Sequence, residues 1–376
     1  MSGLYLHIPF CKQACHYCNF HFSTSLRGRA AVVEAIAKEI QLRSGYLPDR
    51  TLHSVYFGGG TPSLLQADDI ALLFKTIQQE FDLAPDAEIT LEANPDDINE
   101  ENLVIWANSS LNRLSIGVQS FAEEDLRLMN RAHNAEEARH CIQLAQQAGF
   151  NNLTIDLIYG SPSTTDAIWE ENINTALSLN IPHLSCYALT VEPKTALAHQ
   201  IATGKAPPLS EDQAATQFEY LMQRLQQASL IHYEINSFAR TGYFARHNSS
   251  YWQQQPYLGV GPSAHSFDGV SRQWNIANNA LYVKAIDQYN GAGTPSLLYE
   301  REVLSPEDRY NEYVMTGLRT IWGVSLDRLE EPFRSHFQQK SKQFIDKQLM
   351  HFKNKKYVLN PSGRLLADGI ASELFY

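Results

Sequence analysis

The sequence predicts an α/β fold: a partial (βα)6, TIM-like barrel followed by a small C-terminal helical, winged-helix-like domain. Over the first 200 residues, short β-branched and aromatic runs alternate with segments of helical period. Six such repeats are present, and no seventh or eighth follows. Beyond residue 200 the pattern changes, because Pro207-Pro208 precedes one further helix and a polar aromatic stretch with Gly-rich turns. Together these observations favour an open barrel over a closed eight-fold one.

Six runs are predicted strands because they are short and rich in residues that fit a pleated surface. They cover residues 4–8, 54–57, 88–93, 113–118, 152–159 and 183–189. Helical periodicity lies between and after them, at residues 30–43, 68–81, 135–147, 167–179 and 211–228. Asp68 and Asp166 are predicted N-caps, and Gly149 is predicted at the C′ position of its helix. This alternation predicts right-handed βαβ units and a parallel sheet.

The predicted domain organisation has three parts. Residues 1–235 form the partial barrel, residues 236–304 form a connecting region, and residues 305–376 form the small C-terminal domain. Within the last part, the predicted elements are helices near 306–319 and 341–351 and a β-hairpin over YVLNPSGRLL at 357–366. Helices followed by a hairpin resemble a winged-helix unit.

The composition indicates a soluble, cytoplasmic protein. Hydrophobic residues make up 44% and charged residues 19% of the 376, which is typical of a globular chain. No run reaches the length of a membrane span, and the first residues do not resemble a signal peptide. The formal net charge of −11 argues against a general nucleic-acid binder but leaves room for a local basic pocket. Cys141 and Cys186 stand in apolar patterns and are predicted core residues.

Chemically distinctive residues lie after the predicted strands, at their ends or, for Asp156, within one of them, and parallel α/β folds place their active sites at the carboxyl ends of strands. They are Cys11 to Cys18, Gly58 to Pro62, Glu92 to Pro95, Gln119 to Phe121, Asp156, and Ala188 to Pro193. Because the carboxyl ends of parallel strands share one edge, we expect these loops to meet.

Three cysteines lie within eight residues, in the loop after the first predicted strand. Cys11, Cys15 and Cys18 have the spacing C-x3-C-x2-C. Three thiolates can bind three irons of a [4Fe–4S] cluster and leave the fourth iron open to a small molecule with an amine and a carboxylate. The alternatives are a reactive thiol patch or a zinc site completed by a nearby histidine. The histidines considered for zinc are His7, His16 and His21.

The cysteine spacing and the GGGTP loop after the second strand together resemble the radical S-adenosylmethionine (SAM) superfamily. That resemblance implies the radical SAM form of the partial barrel, in which cluster-bound SAM is cleaved by one electron to a 5′-deoxyadenosyl radical. Gly58, Gly59 and Gly60 would let backbone groups approach the SAM amino group, which a Cβ would obstruct. For the glycines alone, an ordinary tight turn is the alternative.

Motifs along nearly the whole chain resemble the oxygen-independent coproporphyrinogen III oxidase family. They are LYLHIPFC, FGGGTPSLL, TLEANPD, LSIGVQSF, NRAH, IDLIYGSP, YALTVEP and LGVGPSAH. The resemblance implies that the three cysteines ligate the cluster and that Tyr5, Gly59 and Glu92 contact SAM. Glu92 suits this role because a carboxylate accepts hydrogen bonds from ribose hydroxyls. Positions matching a second SAM site in the oxidising enzymes are Tyr17, Gly60, Thr61, Gln119, Arg131, Asp156 and Ala188. For each polar residue, the alternative is a structural hydrogen bond in a strand-end loop.

Two departures from the oxidising enzymes favour a different branch of this family. Those enzymes carry a fourth cysteine two places after the third, where this sequence has Phe20. They also have an N-terminal extension over the active site, whereas this chain begins ten residues before Cys11. The sequence is more similar to the HemW branch, a family regarded as heme chaperones. That resemblance implies the radical SAM cofactors without coproporphyrinogen dehydrogenase activity.

The HemW branch carries the motif H-N-x-x-Y-W, which stands here as His247-Asn-Ser-Ser-Tyr251-Trp252. The resemblance implies a heme site, in which His247 supplies an axial nitrogen and the two aromatic rings cover the macrocycle. Arg240 and Arg246 are candidate partners of the propionates. A surface turn with one hydrogen-bonded histidine is the alternative. The competing histidines for the heme iron are His133 and His265.

The predicted function is a heme chaperone that binds a [4Fe–4S] cluster with SAM and transfers heme to an acceptor protein. The resemblance also implies an electron donor of the flavodoxin, ferredoxin or bacterioferritin type. Nucleic acid is not an expected partner, and a membrane would be contacted only peripherally, through the acceptor. The alternative function is oxygen-independent coproporphyrinogen III oxidation in porphyrin biosynthesis, by radical decarboxylation of propionates. A radical SAM enzyme acting on another substrate is a third hypothesis.

Overall fold

The computed structural model describes residues 2–288 and 297–376. The first half alternates strands and helices: β1 Ser2–Ile8, α1 Arg29–Leu42, β2 Thr51–Gly59, α2 Ala67–Glu80, β3 Asp82–Ala93, α3 Glu100–Ala107, β4 Arg113–Gln119, α4 Glu123–Leu128, α5 Ala135–Gln147, β5 Leu153–Tyr159, α6 Asp166–Ser178 and β6 His183–Ala188. Next come α7 Ala196–Ala202, α8 Glu211–Gln227, β7 Ile231–Glu234, β8 Ser237–Ala239, α9 Arg246–Trp252, β9 Tyr257–Val260, β10 His265–Phe267, β11 Ser271–Asn275, α10 Asn279–Gln288 and β12 Tyr299–Val303. The last elements are α11 Pro306–Leu318, β13 Val324–Ser325, α12 Phe333–Asp346, β14 Met350–Lys353, β15 Lys356–Leu359, α13 Pro361–Arg364 and α14 Ala367–Glu373.

The predicted partial α/β barrel is confirmed. In the described part of the chain, one twelve-stranded sheet has the order β12-β11-β10-β9-β1-β2-β3-β4-β5-β6-β8-β7. Strands β1 to β6 pair in parallel with their sequence neighbours, as the βαβ pattern predicted. Strand β9 extends the sheet beyond β1, also in parallel, and β10 to β12 follow it as antiparallel strands. The segment 236–304 therefore contributes strands β8 to β12 to the sheet of the barrel.

The helix termini show where sequence patterns alone were insufficient. Asp68 and Asp166 are not N-caps but lie inside the first turns of α2 and α6. The cap of α6 is Thr165, whose hydroxyl accepts from the Ile168 amide at 3.3 Å. Both aspartates instead place negative charge at the positive end of the helix dipole. Gly149 does occupy the C′ position of α5, with a left-handed φ of 94°.

The C-terminal domain contains helices and a small antiparallel sheet, but two elements differ from the prediction. The second long helix is α12, Phe333–Asp346, so the helix predicted at 341–351 begins eight residues earlier than expected and ends five residues earlier. The hairpin is β14–β15, because Asn354 and Lys355 adopt left-handed φ values of 52° and 62° that close a tight turn. The predicted hairpin over 357–366 was wrong, since Asn360 caps α13 by accepting from the Gly363 amide at 2.9 Å.

Two large hydrophobic clusters, and a third of only four buried residues, stabilise the described part of the chain. One fills the barrel and its flanking helices, and it includes the buried Cys141 and Cys186, as predicted. The other lies within the C-terminal domain, and the partly buried Ile235 packs against both clusters. The three-part division of the chain stays a prediction. Among the described residues, none of the helices combines the length and the apolar character that crossing a bilayer requires.

A buried carboxylate joins the sheet extension to the barrel. Glu39 of α1 is fully buried and forms an ion pair with Arg43 at 2.8 Å. It also accepts hydrogen bonds from the Gly261 amide (2.8 Å), the Asn275 side chain (2.8 Å) and the Tyr282 hydroxyl (2.6 Å). These donors lie in the loop after β9, at the end of β11 and on α10, so this one side chain connects α1 to the segment beyond the barrel.

Replacing Glu39 tests that connection. We expect Glu39→Ala to lower the free energy of unfolding by about 3–5 kcal/mol, because it removes the carboxylate that pairs with a buried guanidinium and accepts from three further donors. Urea unfolding measures the change. Glu34→Ala, at an exposed position on the same helix, is the control and should change stability by less than about 0.5 kcal/mol. Equal losses for the two variants would contradict this role for Glu39.

Candidate functional site

The carboxyl ends of the barrel strands surround one cavity of about 1230 Å³. Most of the residues predicted for the cluster and SAM line it: Cys11, Cys15, Tyr17, Cys18, Gly59, Gly60, Thr61, Glu92, Gln119, Arg131, Asp156 and Ala188. Their loops follow different strands, so the parallel topology brings them together as expected. Tyr5, His247, Tyr251 and Trp252 do not line this cavity, although Tyr5 stacks on Tyr56 just below it (6.1 Å between ring centroids).

The cysteine loop is fixed to its neighbours on both sides. Lys12 forms ion pairs with Asp96, at 2.9 Å, and with the buried Asp97. On the other side, the His16 amide and ring donate to the carbonyls of Met129 (3.1 Å) and Leu128 (2.8 Å). The loop is therefore held between the turn after β3 and the end of α4.

The three cysteines fit the ligand set of a [4Fe–4S] cluster. Each is partly exposed, and all three face the same cavity. Arg131 donates to the sulfur of Cys15 at 3.2 Å. Burial raises the pKa of the Cys11 thiol to about 11, so Cys11 reaches its ligand form when a metal displaces its proton.

The histidines considered for the zinc alternative are engaged elsewhere. His7 bonds the Tyr5 hydroxyl (3.2 Å) through Nδ1 and the His21 carbonyl (3.0 Å) through Nε2. His16 donates to the Leu128 carbonyl, and the ring of His21 bonds the Asn279 side chain at 2.8 Å. Within residues 2–288 and 297–376, no group of three His, Cys, Asp or Glu side chains is placed to hold a single metal ion.

Two glycines at the end of β2 allow a close approach to the start of the cysteine loop. Gly59 has a φ of 109°, and a Cβ there would lie 2.7 Å from the His7 ring. A Cβ on Gly60 would lie 2.7 Å from the Phe10 carbonyl and 2.8 Å from the Ile8 carbonyl. The Gly60 amide also donates to Ile8 at 2.9 Å. The glycines thus position the cysteine loop against β2, a structural requirement in addition to the predicted approach of SAM.

Glu92 is oriented towards the cavity by two donors. The Tyr56 hydroxyl donates to Oε1 at 2.8 Å, and the Gly59 amide donates to Oε2 at 3.2 Å. Burial raises the pKa of Glu92 to about 7, and burial likewise raises the pKa of Asp156 to about 6. Both carboxyl groups have acceptor oxygens beside the cysteine loop, which suits the predicted contact of Glu92 with ribose hydroxyls.

Helix α9, which carries the HNSSYW motif, lies against the inner face of the barrel strands. Side chains two apart point to one face of a strand, so Ser54 and Tyr56 face the same interior as Glu92. Glu88, opposite Ser54, accepts from the backbone amides of Arg246 (2.9 Å) and His247 (3.0 Å). These contacts lie nearer the amino ends of the strands than Glu92, so α9 closes the end of the barrel opposite the cysteine loop.

His247 is almost completely buried, with 1% of its surface exposed. Its Nδ1 hydrogen-bonds Ser54 Oγ at 2.8 Å, its Nε2 hydrogen-bonds the Tyr251 hydroxyl at 2.6 Å, and its ring stacks on Tyr56. Binding to heme iron would require one of these two bonds to break. Trp252 lies beneath the guanidinium of Arg319, 5.2 Å from the ring centroid. The motif as a heme site stays a prediction.

The other residues considered for heme also lie away from the cavity. Arg246 forms an ion pair with Asp86 at 2.7 Å, and Arg240 donates to Asn180 at 2.7 Å. His133 is buried and bonds the Val118 carbonyl at 3.0 Å, while His265 is exposed beside Trp274.

Sequence patterns missed the second wall of the cavity. It comes from the end of α12 and from α13–α14, and it includes Lys347, Leu349, Arg364 and Leu365. The segment around Arg364 was predicted as a hairpin, and no motif there indicated a site. The clearest available signal was the apolar pair Leu365-Leu366 beside a cation in a predicted turn.

Gly60→Ala tests the contact between the glycine loop and the cysteine loop. The added Cβ cannot fit beside the carbonyls of Ile8 and Phe10. A full cluster gives about four irons per chain after anaerobic reconstitution, and we expect the variant to contain fewer. Iron and sulfide analysis and the visible absorption band measure this. Gly45→Ala, with no atom within 4 Å of the added Cβ, should load like the wild type. Full loading of Gly60→Ala would show that the close approach is not required.

The burial of His247 predicts a pH dependence of stability. Burial, with a smaller effect from the charge of Arg113, lowers the pKa of His247 to about 3. Below pH 6.5 the unfolded chain therefore binds a proton that the folded chain does not, and stability is lost as pH falls towards 3. We expect the stability difference between wild type and His247→Gln to shrink by about 1.4 kcal/mol per pH unit below 6.5.

Urea unfolding at pH 7, 6 and 5 measures this difference. His140→Gln, which alters an exposed histidine on α5, is the control and should keep the pH profile of the wild type. A difference between wild type and His247→Gln that stays constant over this range would contradict the prediction.

Known proteins resemble the chain over nearly its whole length. Residues 5–176 match the radical SAM superfamily, and residues 304–366 match the HemN C-terminal domain. The heme chaperone HemW of Mycobacterium tuberculosis is 33% identical over 376 residues, which cover 99% of this chain and 94% of that protein. The heme chaperone HemW of Bacillus subtilis is 31% identical, with 98% of each covered.

A solved structure has the same fold. Coproporphyrinogen III oxidase (HemN) from Escherichia coli, a radical SAM enzyme, matches with a TM-score of 0.83 and 25% identity, covering 100% of this chain and 90% of that chain. Its fold agrees with the partial barrel and C-terminal domain described above. The full-length similarity to the two chaperones is what assigns the branch. The chain therefore belongs to the HemW heme chaperone family of the radical SAM superfamily.

Proposed function

We propose that the protein is a heme chaperone, which binds heme and a [4Fe–4S] cluster with SAM and delivers heme to an acceptor protein. The observation that carries the proposal is Phe20. It stands where the oxidising relatives place a fourth cysteine, its side chain is 68% exposed, and it lines the cavity beside the three cysteines. An exposed aromatic ring at that place can pack against a flat apolar ligand, whereas it cannot coordinate a metal as a cysteine would.

The proposed cofactor contacts follow the geometry of the cavity. Cys11, Cys15 and Cys18 would hold the cluster, and the cluster would supply an electron to SAM bound at its open iron. Glu92 and Gly59 lie at the same end of the barrel. Tyr5 stacks on Tyr56, and Tyr56 donates to Glu92. The further proposed SAM contacts are Tyr17, Gly60, Thr61, Gln119, Arg131, Asp156 and Ala188, all of which line the cavity.

The proposed partners are heme, an acceptor protein, and an electron donor of the flavodoxin, ferredoxin or bacterioferritin type. We place the protein in the cytoplasm, with a membrane contacted only through the acceptor. The net charge of −11 supports the exclusion of nucleic acid as a partner.

Coproporphyrinogen III oxidation is the second candidate function. It is supported by the likeness to HemN and by the positions matching the second SAM site, which all line the cavity. Phe20 argues against it, because it replaces the fourth cysteine of the oxidising enzymes in the cysteine loop.

An anaerobic assay separates the two functions. The reconstituted protein is incubated with coproporphyrinogen III, SAM and dithionite, with HemN as the positive control, and is separately titrated with hemin. We expect no protoporphyrinogen IX above the background of the Cys15→Ala variant, and saturable binding of about one hemin per chain. Protoporphyrinogen IX formation at rates comparable to HemN would overturn the chaperone proposal in favour of the oxidase.

A further inference from the structure

The cavity at the barrel mouth is larger than a SAM site needs. Sites for a single small ligand occupy about 300–1000 Å³, and this cavity occupies about 1230 Å³. One wall comes from the cysteine loop and the strand ends of the barrel. The opposite wall comes from the C-terminal domain. The cavity therefore exceeds the volume of a site for one small ligand, and it extends from the barrel to the C-terminal domain.

Both walls present apolar side chains to this space. Phe20 lines it from the cysteine loop with 68% of its surface exposed, and Leu366 lines it from the C-terminal domain with 53% exposed. Leu349 and Leu365, both partly buried, extend the second wall. Exposed apolar side chains gathered around one cavity mark a binding site for an apolar ligand. A flat macrocycle would cover side chains of both walls at once.

The C-terminal wall also carries positive charge without an acidic partner, although Lys347 lies over the Phe344 ring, 5.9 Å from its centroid. Arg364 and Lys347 line the cavity, and neither forms an ion pair in the part of the chain that the structure describes. Arg319, the third cation of this wall, is committed to Asp368 at 2.8 Å and to Glu234 at 3.6 Å. Two cations beside an apolar surface therefore remain available to an anionic ligand, although the whole chain is acidic.

We propose that this cavity is the heme site, with the macrocycle against the apolar side chains of both walls and the two propionates on Arg364 and Lys347. This assignment rests on the proposed chaperone function. Arg364 can bind a carboxylate through two parallel N–H donors, and Lys347 binds it as a point charge. The site places heme beside the cysteine loop and away from His247, at the opposite end of the barrel.

Hemin titration followed by absorbance tests the assignment on the full-length, cluster-reconstituted protein. We expect Arg364→Gln and Lys347→Gln each to raise the Kd for hemin about tenfold, and the double variant on the order of a hundredfold, since each loses a charge-assisted hydrogen bond. The matched controls are Arg309→Gln on α11 and Lys340→Gln on α12, which are exposed and do not line the cavity. Both should bind hemin like the wild type.

A second ligand separates charge recognition from a general structural effect. Heme dimethyl ester has no free propionates, so the wild type and the double variant should bind it with equal affinity. Iron content and circular dichroism confirm that each variant is folded. A double variant that binds hemin as tightly as the wild type does would overturn the site.

The His247→Gln variant discriminates the cavity from the HNSSYW motif. Glutamine keeps polar contacts with Ser54 and Tyr251 but supplies no imidazole to iron, so we expect its Kd for hemin to stay within about twofold of the wild type. A large loss of affinity in His247→Gln, with unchanged binding in the cavity variants, would assign heme to the motif instead. A wild type that binds no hemin would overturn the proposed function itself rather than the location of the site.

Discussion

The polar interior of the partial barrel is the constraint on which the rest of the structure depends. A buried polar group without a partner costs about 1–3 kcal/mol, and the inner faces of β2 and β3 carry Ser54, Tyr56, Glu88 and Glu92. Helix α9 satisfies the lower of these groups, because its first amides bind Glu88 and its histidine binds Ser54. The upper ones are satisfied by each other, as Tyr56 donates to Glu92. The position of Glu92, a proposed SAM contact, therefore depends on the hydrogen bonds of the side chains that line the barrel interior.

The order of the barrel and the grouping of its loops were predictable because they follow from periodicity and from the geometry of parallel strands. The cysteine loop, the glycine loop and Glu92 each depend on residues close in sequence, and they met at one cavity as expected. The environment of His247 was not predictable, since its partner Ser54 lies on a strand nearly two hundred residues earlier. A motif predicted to supply a heme ligand belongs to a helix that closes the barrel, and its histidine is buried there.

The C-terminal domain shows the same limit. Its hairpin depends on the left-handed conformations of Asn354 and Lys355, whereas the sequence Asn-Pro-Ser-Gly a few residues later is the stronger turn signal. That stronger signal begins a helix instead, because Asn360 caps it and Pro361 suits its first turn. Because the hairpin was predicted at 357–366, Arg364 was not recognised as a residue of the site. Its place in the cavity follows from packing between domains, which no local pattern encodes.

Arg319 makes the two domains structurally inseparable. Its charge faces the buried Glu234 of β7, its guanidinium covers Trp252 of α9, and its carbonyl accepts from the Ile235 amide at 3.0 Å. Deleting the C-terminal domain would remove the cation beside the buried Glu234 carboxylate and would uncover Trp252 on the helix that closes the barrel. Truncation would thus also perturb the barrel, and a loss of heme binding would not show whether the C-terminal domain itself contacts heme. Only point substitutions can apportion roles between the two halves.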